Sequence, residues 1–235
     1  MKRKTHHAVL ILSFALCLAA GAGAAAAQTA GESFSAYIGA YKTFEDSLAN
    51  TAPWDKIGEE HVIPMDPVAQ IEHAFWPLAH LGRKNKQLDG DKKMYGVSSV
   101  KFSENGNEFR IECKADGASD TYEGSFDPPS GALHCRLVRK YDGGEIGEDE
   151  IFEYRRTDSG YTAQIYSFHY GAAHKLSLRG RDGAVGWDAE PGAYKAITAG
   201  DGADYPKSCF TWYETSGQVF RFKPSGGEPR ELSKR

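Results

Sequence analysis

The chain has 235 residues, 28 basic and 32 acidic, for a net charge of −4. Its first 27 residues hold three of the basic residues and no acidic ones, so a chain that loses them keeps 208 residues and a net charge of −7. That balance argues against nucleic acid or an anionic membrane surface as the main partner, and the length suffices for one sizeable domain with its own core.

At the N-terminus, Lys2-Arg3-Lys4 precede an apolar run from Ala8 to Ala20 broken only by Ser13, and a tract of Gly and Ala follows up to Ala27. Charged start, short apolar run and an Ala-x-Ala match at Ala25 and Ala27 predict a secretory signal over residues 1–27, with Ala30 as the next candidate cut. A retained anchor would need about twenty apolar residues, and the bulky part of this run ends near Leu18. Lipid attachment at Cys17 is disfavoured because Leu16, rather than a small residue, precedes it. The expectation is an exported protein, periplasmic or secreted, with no transmembrane span in the mature chain. Its remaining cysteines are Cys113, Cys135 and Cys209, an odd number that predicts one disulfide and one unpaired thiol in an oxidising compartment.

Residues 32–50 place Phe34, Tyr37, Ile38, Tyr41, Phe44 and Leu48 at steps of three and four, the apolar stripe of a helix that ends by Asn50 and Pro53. A second helix is predicted from Asp66-Pro67, with Val68, Ile71, Phe75 and Leu78 as its stripe and Pro77 as a kink or stop. Gly82 to Lys93 reads as a charged loop.

From about residue 95 the period becomes two. Phe109, Ile111 and Cys113 alternate with Arg110, Glu112 and Lys114, and the pattern recurs with Val100 and Phe102, with Tyr122 and Phe126, and with Leu133, Cys135 and Leu137. Turn sequences such as Asn105-Gly106 and Asp116-Gly117 separate these runs. Further strands are predicted over 150–156, 161–170, 174–180, 184–188, 209–214 and 218–223, with a loop over 199–207. The resulting fold class is α+β, mostly β: N-terminal helices packed on a long, curled antiparallel meander resembling an open barrel. Residues 28–223 form one domain and 224–235 a flexible tail. In order of elements alone, the layout is similar to the half-open barrel of periplasmic lipoprotein carriers.

No hydrolase elbow, zinc-protease helix or phosphate loop is present in the sequence. His134 adjoins Cys135, but neighbours on a strand face opposite ways, so the pair does not make an activated thiol. The remaining histidines and the acidic runs lack metal-ligand spacing, and no metal or other cofactor is expected. An enzyme would have to draw on His134, His169, His174, Asp201 and Asp204, which are scattered along the chain.

Aromatic residues make up 12% of the chain and lie mostly in the strands. Over 161–170 one parity holds Tyr166, Phe168 and Tyr170, the other Tyr161, Ala163 and Ile165, so both sheet faces carry apolar groups that need cover. Tyr166, Phe168, Tyr170, Trp187 and Trp212 are the candidate ligand-binding residues. The function expected is non-enzymatic: binding a hydrophobic small molecule or lipid in the groove of a curved sheet, or contact with an envelope protein as an interaction or structural module.

Overall fold

The computed structural model describes residues 28–51, 67–82, 88–180, 182–188 and 192–233. The predicted signal over 1–27 lies outside them. Three helices come first: α1 (Ala30–Thr51), α2 (Pro67–Ala74) and α3 (Leu88–Met94), with a 3₁₀ turn at Trp76–His80. The strands follow: β1 (Val97–Asn105), β2 (Glu108–Ala115), β3 (Ala118–Asp127), β4 (Ala132–Tyr141), β5 (Ile146–Thr157), β6 (Gly160–Ser167), β7 (Ala172–Arg179), β8 (Asp182–Asp188), β9 (Thr211–Ser216), β10 (Val219–Lys223) and β11 (Arg230–Ser233).

All eleven strands form one antiparallel sheet in chain order. The expected barrel-like curl is corrected by this topology. β1 and β11 are the two ends of an open sheet, which neither closes nor curls strongly. A sheet curls on itself when an apolar face has no other cover, and here each face is covered by a different part of the chain.

One face is covered by helices. Thr29 begins α1 with a capping box, its hydroxyl accepting from Glu32 N at 3.2 Å while Glu32 Oε2 accepts from Thr29 N at 3.0 Å. The predicted stripe then meets the sheet: Tyr37 stacks on Tyr154 at 4.9 Å, Phe34 meets Phe152 edge-on at 6.0 Å, and Phe44 stacks on Tyr213 at 6.2 Å. A side chain at Gly183 would run into the Phe44 ring, so this strand glycine marks a close approach of helix and sheet. Phe75 continues the layer onto Tyr122 and Phe152, and Tyr122 donates its hydroxyl to Ala74 O at 2.8 Å. Cys113 and Cys135 lie in this layer as buried free thiols, which replaces the disulfide expected between two of the cysteines. β2 and β4, which carry them, are separated by β3, so the two side chains are not cross-strand neighbours.

Two other segments differ from the sequence reading. Leu88–Met94 is helical rather than a loop. Asp89 and Asp91 in its first turn and Lys92 and Lys93 in its last complement the helix dipole, and the buried His80 holds it through Asp91 at 2.9 Å. Where the reading places a tail, Arg230–Ser233 pair with β10, Leu232 resting on the core.

Candidate functional site

The second face of the sheet between β5 and β9 is covered by an irregular segment, residues 192–210, called the strap below. Strand register sets one cross-strand row beneath it: His134, Glu153, Gln164, Lys175, Gly186 and Trp212, on six successive strands. Because the row is mostly polar, the strap is held by hydrogen bonds rather than by an apolar seam.

Glu153 is the anchor. It is 4% exposed, and its carboxylate accepts from Gln164 Nε2 at 2.5 Å, Ile197 N at 2.8 Å and Tyr194 OH at 3.1 Å. No cation pairs with it among the described residues, so these donors alone make its burial tolerable. Burial, followed by the neighbouring Glu153, pushes the Tyr194 hydroxyl well above its ordinary pKa and keeps it a donor. Gln164 spends its second N–H on Lys195 O at 2.6 Å. Tyr166 OH donates to Gly192 O at 2.6 Å, and Arg179 Nη2 to Gly202 O at 2.9 Å. A side chain at Gly186 would strike Pro206 and Cys209, so the strap lies directly on the backbone there.

Between strap and sheet remains a cleft of about 360 Å³. Gln164, Tyr166 and Lys175 line it from the sheet, and Lys195, Asp201, Asp204 and Tyr205 from the strap. The Lys175 ammonium lies 5.3 Å from the Tyr205 ring centroid, a cation–π contact. Burial, then Asp201, pushes the Tyr205 hydroxyl up to about 12. Asp201 is held low, first by the Thr198 backbone N–H that its Oδ2 accepts at 2.6 Å.

Of the residues singled out from the sequence, Tyr166 lines this cleft. Trp212 shares its face, buried opposite Gly186 and Lys223. Phe168 and Tyr170 do not continue the face, because β6 ends at Ser167 and the turn begins. Phe168 is half-exposed under the Arg136 guanidinium, and Tyr170 is exposed beside His169. Trp187 pairs in register with His174 and Thr211 on the helix-covered face; its side chain lies outside the described residues. His174 is thereby separated by the sheet from His134, whose ring meets Tyr194 at 6.4 Å. Burial lowers His174 to about 4, raises Cys113 to about 12 and pushes Cys135 up as well, so the imidazole stays neutral and both thiols stay protonated at neutral pH.

Glu153, Gln164 and Lys175 escaped the sequence reading. Their signal was present: an acid inside Ile151-Phe152-Glu153-Tyr154 and an amide inside Ala163-Gln164-Ile165 mark a polar residue on a strand face that must still be covered. Among the described residues no three His, Cys, Asp or Glu side chains are grouped to hold a metal ion, and no helix is long and apolar enough to cross a membrane. No known family model, curated protein or solved structure matches this chain.

Proposed function

We propose that the chain is an exported, non-enzymatic binding protein that takes a small polar ligand in the cleft between the sheet and the strap. The observation that carries this reading is the preformed cleft, roofed by a strap that is pinned to the sheet through the buried Glu153. Pre-organisation of this kind lowers the entropic cost of binding. Export is supported by the position of Thr29, which caps α1 two residues after the expected cut. A non-catalytic role is supported by the sheet that divides His174 from the cleft and by thiols held in their unreactive form. The lining favours a polar guest over a lipid-like one, since the helix-covered face is filled by its own aromatic side chains.

Amide NMR spectra of the purified protein, recorded with a panel of neutral sugars, amino acids, carboxylates, polyamines and a fatty acid, test the reading. At least one polar compound should shift amides in 192–205 and near Gln164 and Lys175. If no compound does so, or if a fatty acid perturbs α1 instead, the cleft is not the ligand site.

A second reading rests on Met94, Tyr141, Ile146, Phe168 and Tyr170, the large exposed apolar residues of the described chain. Antiparallel order brings the start of β1 and the β4–β5 and β6–β7 turns to one end of the sheet, so all five gather there. Such an end suits contact with another protein. An Ile146→Ser, Tyr170→Ser variant that keeps every cross-link formed by the parent chain would remove this reading.

A further inference from the structure

Four arginines of the sheet are matched to carboxylates: Arg110 to Glu112 and Glu123, Arg136 to Asp149, Arg139 to Asp120 and Glu148, and Arg221 to Glu214 and Glu231. The cations of the cleft stand outside these pairs. Lys175 and Lys195 both line it, and neither ammonium is ion-paired to a carboxylate among the described residues. Lys175 is also half-buried, standing between Gln164 and Gly186 in the middle of the sheet. A cation removed from part of its water and held in no ion pair gains from an anion that comes into contact with it.

Asp201, a carboxylate lining the same cleft, is already engaged. Asp201 Oδ2 accepts from Thr198 N at 2.6 Å and from Thr198 Oγ1 at 3.0 Å. Both lysines nevertheless contribute, after those bonds, to holding the Asp201 carboxylate low, which places the two ammoniums in the field of one point. Asp204 lines the same cleft, exposed and outside any ion pair among the described residues. It would repel a simple anion and attract a donor. Gln164 has spent both N–H groups on Glu153 and Lys195 O, so the atom it has left for a ligand is its carbonyl oxygen, a second acceptor.

Two ammoniums together with two acceptors call for a molecule that carries both an acid and a donor. We propose that the cleft binds a small carboxylic acid bearing hydroxyl or ammonium groups, its carboxylate against Lys175 and Lys195 and its donor toward Asp204 and Gln164. A volume of about 360 Å³ is at the small end of ligand pockets and suits one sugar acid or one amino acid. This assignment rests on the reading of the cleft as a ligand site.

Calorimetric titration of the purified protein with D-glucuronate, L-glutamate, D-glucose and putrescine tests it. At least one of the two acids should bind ten-fold or more tightly than glucose and putrescine, and preference between them tells the hydroxy acid from the amino acid. Lys175→Gln should weaken that binding at least ten-fold. Lys195→Gln, at an exposed position, should weaken it too and guards against a folding defect in the first variant. Glucose or putrescine binding as tightly as both acids, acid binding unchanged in both variants, or no binding by either acid would each overturn the assignment. In the NMR experiment above, a neutral or cationic compound that shifts the cleft amides would leave the cleft standing as a site while the acid assignment falls. Silence of the whole panel would remove both.

Discussion

The two faces of one sheet are covered in opposite ways. On the helix side, rings pack on rings: Phe152 alone meets Phe34, Tyr37, Phe75 and Tyr154, and few polar atoms intervene. On the strap side, a buried carboxylate and amide hold an irregular segment through its backbone. Apolar burial is non-directional and scales with area, which suits a permanent core. Hydrogen bonds are directional and can be exchanged for bonds to water or to a ligand at little net cost. The helix side therefore carries the stability of the molecule, and the strap side is the part able to host polar chemistry.

The contrast can be broken most forcefully at Phe152. Phe152→Ala should cost about 3–5 kcal/mol of global stability, read as a lowered urea midpoint in which helix and sheet signals fall together. If the variant instead loosens only the strap, the division of labour between the faces is wrong.

A somewhat smaller effect is expected at the carboxyl of Glu150, opposite the buried Leu137 on the helix-side face. Glu150 stands there near Glu148, and burial, then Glu148, raises it to about 7 from an ordinary 4.5. Below about pH 4.5 it is protonated in both folded and unfolded chains. From there to about pH 7 the unfolded chain ionises first, so stability falls as pH rises, and above 7 the loss is complete. Glu150→Gln should therefore stabilise by about 2–3 kcal/mol at pH 8 and hardly at all at pH 4. Parallel melting curves for parent and variant across that range would show that the carboxyl is well solvated.

The smallest effect on global stability belongs to the strap. Glu153→Ala leaves the donors of Gln164, Ile197 and Tyr194 without their acceptor, and strap opening should become easier by about 2 kcal/mol. Hydrogen exchange should quicken over 192–203 while the amides of β2 to β4 keep their protection. Uniform loss of protection across the sheet would make Glu153 a core residue like any other.

Much of this contrast was legible in the sequence, but unevenly. The α1 stripe from Phe34 to Leu48 and the alternation in β2 name the helix-side face residue by residue, because burial of that face imposes its period on the chain. The strap side imposes no period of its own. Its row takes one residue from each strand, from His134 to Trp212, and these are neighbours only through register. Tyr166, Phe168 and Tyr170 share a parity and look like one patch, yet the turn after Ser167 leaves only the first of them in the cleft. α3 was hidden because its seven residues, with Gly90 among them, bury no side chain and show no stripe.

By itself, then, the sequence determined that helices precede an antiparallel meander, which residues of most strands point to the core, and that both faces of the sheet need cover. Those are local properties, set by the spacing of apolar residues and by turn chemistry. Only the tertiary structure decided that the sheet stays open, that residues 192–210 supply the second cover, and that Glu153, Gln164 and Lys175 meet beneath it. These follow from strand register and from which segment reaches an uncovered face first, neither of which is written in any single stretch of chain.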